Sequence, residues 1–253
     1  MQVIPERRVE YEYDEFGNVI KETYYVNETL EQWNEYEYDA SGNMTKETNY
    51  KPRSKGDCCE YEYDASGNVI KKTLWSGSGQ SAGYYEYEYD ISGRMTKETH
   101  YKFDGSMEWF EYNYDTSGNL IKRTQYKEDG STGSWREYEY DTTGNMIKET
   151  YYERGEKRSC TGYEYDAFRN MTKSISYNVE EGYVNGWTEY EYDIFGNQIK
   201  ETPYSLSGMA HWVEYGYDEY GNMIREILYS KSGEISSKSE YEYEYDTSGN
   251  AAQ

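Results

Sequence analysis

The tetrapeptide Tyr-x-Tyr-Asp recurs ten times along this chain, its Asp falling at Asp14, Asp39, Asp64, Asp90, Asp115, Asp141, Asp166, Asp193, Asp218 and Asp246. Successive copies lie 25 to 28 residues apart. A period of that size means an array of small units, none able to bury an apolar face alone, each stacked on its neighbours. With the Asp as position 0, Tyr occupies −3 and −1 in all ten copies. Gly holds +3 and Asn +4 in nine copies each, Arg169 and Arg94 being the exceptions. Position +7 is Lys or Arg, and position +11 is aromatic, in all nine copies that reach them. Residues 1–253 therefore read as a single repeat domain of ten units, the last incomplete.

From −6 to +11 every complete unit has the same length, and the segment that follows, 7 to 10 residues, absorbs the variation. That segment contains Gly, Ser and Asp, as in Lys102-Phe103-Asp104-Gly105-Ser106, which marks an exposed loop tip. Each unit thus has a fixed turn and a tolerant turn, with a strand-length segment between them. Glu35-Tyr36-Glu37-Tyr38 alternates strictly, and Met44-Thr45-Lys46-Glu47-Thr48-Asn49-Tyr50 is rich in β-formers at period two. Apolar recurrence at helical spacing is absent. The expected fold is all-β, an antiparallel β-hairpin repeat array of about nineteen strands forming one long coiled or spiral sheet.

The fixed turns fit a type I turn closed by a left-handed Gly. Three examples are Asp39 with Gly42 and Asn43, Asp64 with Gly67 and Asn68, and Asp115 with Gly118 and Asn119. Asp accepts from backbone N–H groups two residues on, and Gly takes positive φ without strain. Arg169 is therefore expected to sit strained at positive φ. Continued outward, this turn sets a register in which the −1 Tyr faces the apolar +5 and the −3 Tyr faces the +7 Lys. One face then carries Tyr, aliphatics and Lys, the other Glu, Trp and the +6 residue. In that register −4 Glu opposes +8 Glu in six copies, for example Glu35 and Glu47. Like charges directly opposed destabilise. Lys from the next hairpin intervenes, cations condense there, or the register lies one residue away.

Composition excludes several function classes. The net charge is −23, from 26 Lys and Arg against 49 Asp and Glu, so phosphate backbones are repelled and nucleic acid is not expected as a partner. No apolar run is long enough for a transmembrane helix. Aromatic residues make up 18% of the chain, which argues against disorder. Repeat positions −3, −1 and +11 hold 28 of the 35 tyrosines.

The run Glu60-Tyr61-Glu62-Tyr63-Asp64-Ala65-Ser66-Gly67-Asn68-Val69-Ile70-Lys71 resembles the YD or RHS repeats of bacterial surface and toxin-complex proteins and of teneurins. The resemblance runs from about Val9 to Asn250. It implies hairpins strung into one antiparallel strip that coils, sometimes around a hollow shell. The self-cleaving core segment and C-terminal effector of toxin-shell members are not recognisable, and the chain stops at Ala251-Ala252-Gln253, directly after a turn. A fragment of a longer array, or an uncapped end, is the expectation.

Chemistry is sparse. His100 and His211 occupy different repeat positions, with no Ser or Cys in a recognisable relation to them, so no enzyme is expected. Cys58 and Cys160 fall at −6 and Cys59 beside it, which suits a small buried hydrophobe better than a metal ligand. No resident cofactor is expected. Calcium is the cation whose oxygen ligands the Asp-x-x-Gly-Asn turns and nearby Glu could supply, although turn chemistry accounts for the same residues. Trp33, Trp109, Trp135, Trp187 and Trp212, all at −6, form the candidate binding ladder. Recurring every two strands, they suit stacking on a glycan or an extended peptide, and they equally suit holding together a sheet poor in Leu and Phe. The expected role is a non-enzymatic bacterial surface or secreted module for binding or scaffolding, with cell-surface glycan the favoured ligand class. The alternative is a passive shell or spacer fragment of a larger toxin-type protein. An extracellular or cell-surface location follows from the resemblance, although Pro5, Arg7 and Arg8 near the start do not read as a signal peptide.

Overall fold

A computed structural model describes residues 6–243 of the chain. Asp246, the closing Ala251-Ala252-Gln253 and Pro5 lie outside the described residues. Twenty β-strands run from Arg7–Tyr13 to Ile235–Glu240, with no helix among the described residues. The chain is an all-β, antiparallel hairpin repeat array. Internal contacts divide it into two units, one of residues 1–113 and 123–133, the other of residues 114–122 and 134–253. Within the first, each strand up to Met107–Tyr114 pairs antiparallel with its neighbours in sequence. The second repeats that pattern from Thr132–Tyr140 onward.

The fixed turn forms as its residues dictate. Asp39 N–H donates to the Asn43 carbonyl and Gly42 N–H to the Asp39 carbonyl, at 2.9 and 3.0 Å. Asp115 N–H donates to the Asn119 carbonyl in the same way, at 2.9 Å. Gly42, Gly67 and Gly118 have φ of 84°, 83° and 91°. Arg169 takes φ 71° in the same place, the strain expected of it.

The register beyond the turn differs from the one the turn alone suggests. Tyr38 does face Met44, but Glu37 then faces Lys46, Tyr36 faces Glu47, Glu35 faces Thr48 and Trp33 faces Tyr50. The second strand has slipped one residue past Thr45, whose hydroxyl donates to the Glu37 carbonyl at 3.2 Å. This is a β-bulge, and the same shift recurs between −2 and −1 in the hairpins closed at Asp14, Asp64, Asp90, Asp141, Asp166, Asp193 and Asp218. A slip of one residue moves a strand's whole side-chain set to the other face. The expected opposition of −4 Glu and +8 Glu is thereby removed: −4 Glu meets +9 Thr, and the +7 Lys lies on the Glu and Trp face rather than the Tyr face.

That Lys also threads the acidic rows together. Lys46 Nζ lies 3.7 Å from Glu37 in its own hairpin and 3.6 Å from Glu60 in the next. Lys122 reaches Glu137 at 3.2 Å, and Lys173 reaches Glu189 at 3.7 Å.

Burial is concentrated at a position the periodicity did not single out. Position +9 is Thr in seven copies and Ile in two. Thr48, Thr99, Thr124, Thr150 and Thr202 are 4–7% exposed, and Ile227 is 7% exposed. Each is covered because it stands between the −4 residue of its own hairpin and the −6 residue of the next, as Thr48 stands between Glu35 and Cys58. Cys58 and Cys160 are buried free thiols at −6, as small hydrophobes there should be.

Candidate functional site

Two features of the array could meet a ligand: the aromatic ladder on the face and the row of fixed turns at the edge. In the ladder the five −6 indoles are half-buried, and each is stacked on the +11 Tyr of its own hairpin. The pairs are Trp33–Tyr50, Trp109–Tyr126, Trp135–Tyr152, Trp187–Tyr204 and Trp212–Tyr229, with centroids 4.6–5.2 Å apart and planes within 14°. Such stacking adds about 1 kcal/mol per pair beyond burial. Each indole N–H donates to the −4 Glu two residues along, as Trp187 does to Glu189 at 2.9 Å. Lys97, Lys122 and Lys173, from the strand on the other flank, sit over Trp109, Trp135 and Trp187 at 5.9, 5.4 and 5.1 Å. These three rings therefore lie between a Tyr and a Lys, with their edges outward.

Three of the sequence exceptions at −6 keep an aromatic contact in the same place. Where −6 is Cys58, the indole moves to +11, and Trp75 donates to Glu60 at 2.9 Å. Where −6 is Tyr84, it stacks on Tyr101 at 4.3 Å, and where −6 is Arg8, its guanidinium lies 4.3 Å over Tyr25. The rule is contact between −6 and an aromatic +11, not Trp as such.

The invariant tyrosines answer a need that Phe could not meet. The −1 hydroxyl donates to the +5 carbonyl of the preceding hairpin: Tyr38 to Val19, Tyr63 to Met44, Tyr89 to Val69, Tyr140 to Leu120, Tyr165 to Met146, Tyr192 to Met171 and Tyr217 to Gln198, at 2.6–2.9 Å. That carbonyl is the one beside the bulge. The −3 hydroxyl reaches the +8 Glu of the preceding hairpin, Tyr36 to Glu22 and Tyr112 to Glu98, both at 2.9 Å. Burial, and then the bond to Glu22, push Tyr36 up to about 12, so it stays a donor. Sequence reasoning missed this hydroxyl network. The signal was there: Tyr without a single Phe at twenty positions, −3 and −1 in ten copies. In the last unit Tyr243 makes the −1 contact, donating to Met223 at 3.1 Å, two residues ahead of the place its Tyr-x-Tyr-Asp assigns.

At the edge, each fixed-turn carboxylate among the described residues has both oxygens bonded within its turn. Asp64 Oδ1 accepts from Ser66 and Asn68 N–H at 2.8 and 2.9 Å, and Oδ2 from the Asn68 amide at 2.9 Å. Asp39 makes the same three bonds with Ser41 and Asn43. Asp115 repeats them with Ser117 and Asn119, each at 2.9 Å, so the third turn residue Asn119 acts as a cap like its counterparts. The Asn amide holds these carboxyls below their ordinary value, with the backbone donors adding to it. Both oxygens that calcium would take are already bonded to donors within the turn. Among the described residues no group of three His, Cys, Asp or Glu is placed to hold a metal ion, and no helix is long and apolar enough to cross a membrane. Shallow clefts open between consecutive turns, one of them lined by Asp39, Asn43, Tyr61, Tyr63, Asp64 and Gly67. His100 stacks on Tyr85 at 4.3 Å and faces Glu108 at 3.8 Å, its two partners across the neighbouring strands.

Against known proteins, the family model described as a protein of unknown function (DUF2963) matches residues 31–74 and 109–151, about a third of the chain. Each match covers two successive hairpins. No curated protein matches the sequence. Among solved structures, a crystal structure of TcdB2-TccC3-TEV aligns with a TM-score of 0.45 at 13% identity, over 92% of this chain and 15% of that one. The Photorhabdus luminescens Tc holotoxin pore aligns at 0.42 and 13%, over 92% and 16%. A porin-like protein from Bacteroides uniformis aligns at 0.41 and 12%, over 82% and 89%. The chain thus spans about a sixth of the length of the toxin chains it aligns with.

Proposed function

We propose that the chain is a non-enzymatic repeat scaffold of a bacterial surface or secreted protein. The observation that carries this reading is that the repeated residues make contacts within and between hairpins. The −1 and −3 hydroxyls bind the preceding hairpin, the +7 Lys joins two acidic rows, +9 Thr fills the seam, and −6 stacks on +11. Residues serving catalysis would be expected at one place in an array; these recur along its length. The YD-type motif supports the surface or secreted location.

Glycan binding on the tryptophan ladder is the second reading. It draws support from the half-buried indoles that each stand beside a Glu of their own strand, Glu111, Glu137 and Glu189, and against it stand the Tyr and Lys covering the ring faces. A glycan array separates the two. The scaffold reading expects no retained glycan; binding that disappears in Trp135→Leu, with the melting temperature kept, would replace it with the glycan reading.

A further inference from the structure

We propose that the turn edge bearing Phe168, Ile194, Phe195 and Tyr220 is a docking surface for a cationic, amphipathic polypeptide segment. These residues occupy +1 and +2 of three consecutive fixed turns. The turn does not require them: four sister copies carry Ala40-Ser41, Ala65-Ser66, Thr116-Ser117 and Thr142-Thr143 at the same positions, and the Asp14 and Asp90 turns carry one apolar residue each, Phe16 and Ile91, with no apolar tip beside them. Nor do they fold back onto the sheet. Phe168 is 86% exposed, Ile194 93%, Phe195 83% and Tyr220 56%. The three tips abut one another. A Cβ on Gly196 would stand 3.7 Å from Asn170 Oδ1, and one on Gly221 3.9 Å from Asn197 Oδ1. Between the first two tips runs an open groove walled by Phe168, Ile194 and Phe195 and bordered by Glu191. The comparable clefts at the Asp64 and Asp90 turns carry Ser66 or Ser92 where this one carries Phe.

Contiguous exposed apolar surface with a polar rim marks a site of association, and charge selects the occupant. Exposed Glu164, Glu191 and Glu219 border the tips, with Arg169 on the first tip and Lys200 3.4 Å from Glu191 as the cations beside them, on a chain of net charge −23. Two such chains repel, which disfavours a second copy, and an anionic bilayer is repelled likewise. A segment with apolar side chains for the groove and Lys or Arg for its rim satisfies both features.

The proposal rests on the scaffold reading only for a stably stacked array. Its test is the binding of a labelled amphipathic Leu/Lys helical peptide, followed by fluorescence anisotropy, with a Ser/Lys peptide of equal charge as control. The variant takes residues found at the sister turns: Phe168→Ser, Ile194→Thr, Phe195→Ser and Tyr220→Ser. The wild type should bind the Leu/Lys peptide at least about tenfold more tightly than the variant does, with equal, weak binding of the Ser/Lys peptide and equal melting temperatures. Equal affinity of wild type and variant for the Leu/Lys peptide overturns the proposal while leaving the scaffold standing. So does self-association in sedimentation that the variant abolishes, or recruitment to phosphatidylglycerol vesicles without peptide binding. A lower melting temperature in the variant is decided by the double variant Phe168→Ser/Phe195→Ser: loss of Leu/Lys binding at the wild-type melting temperature supports the proposal, and unchanged binding overturns it.

Discussion

The turns at Asp90 and Asp166 each carry an arginine where the other copies have Asn or Gly, and the molecule absorbs the two changes differently. At Asp90 the guanidinium of Arg94 replaces the missing amide: Nε and Nη2 both lie 2.7 Å from Asp90 Oδ2, while the Arg94 N–H keeps its bond to Oδ1 at 3.1 Å. The side-chain task has been handed to another donor. At Asp166 every hydrogen bond of the turn survives, with Arg169 N–H donating to the Asp166 carbonyl at 3.1 Å and Asn170 capping as usual. What is lost there is conformational ease, because a residue with a Cβ is held at φ 71°. A donor can be substituted by another donor of suitable reach, whereas a left-handed backbone has no comparable substitute for glycine.

The largest effect should come from removing the carboxylate charge that both turns share. Asp14, Asp39, Asp64, Asp90, Asp115, Asp166 and Asp193 are all held below the ordinary 3.8, chiefly by the side-chain donor at +4. Asp141, where Thr143 is the leading donor and Asn145 adds to it, falls to about 2. Carboxyls depressed on folding stabilise above their unfolded pKa and lose that contribution as pH falls through the folded one. The melting temperature should therefore begin to fall as pH drops toward the ordinary 3.8 and fall most steeply as pH approaches 2. A calorimetric series that stays flat down to that pH would show that the turns do not hold the array.

Next in size, Gly67→Val places a β-branched residue at φ 83°, where space is adequate but the backbone is not. It should destabilise by about 2 kcal/mol in denaturant unfolding; a loss below that of an ordinary surface substitution would dissolve the contrast between the two turns. Conversely, Arg169→Gly should stabilise by about 1 kcal/mol, the strain relieved less the extra freedom of the unfolded chain. Smallest of all is Arg94→Asn, which exchanges one Oδ2 donor for another and should change stability by less than about 0.5 kcal/mol. It should also remove whatever salt dependence the Arg94–Asp90 pair confers, so melting curves at low and high salt would distinguish an ion pair from a plain hydrogen bond.

Much of this was legible in the chain itself. The period, the fixed and tolerant turns, the hairpins and the strained Arg169 follow from local chemistry: Asp and Gly at set offsets, and alternation at period two. The candidate site was legible only as a list of positions. Trp33, Trp109, Trp135, Trp187 and Trp212 do recur at one repeat position, but nothing local says that a Tyr on the paired strand will cover one side of each ring. The importance of +9 was equally hidden, since an unremarkable Thr becomes the most buried residue of a unit only when the next hairpin closes over it. The apolar tips at Phe168, Ile194 and Phe195 carry no periodic signal, because positions +1 and +2 change from copy to copy.

Where the chain turns, and which residues of one strand share a face, follow from the order of residues alone, because turn geometry and strand pleat are set by neighbours a few bonds away. The tertiary structure alone decided how the two strands of each hairpin match. One bulge at Thr45 and its counterparts carries Lys46 from the Tyr face to the Glu face, parts Glu35 from Glu47, and seats Trp33 on Tyr50. The hydroxyl of the following unit bonds beside each bulge, as when Tyr63 claims the Met44 carbonyl. Contacts of that kind exist only once the neighbouring hairpin is in place.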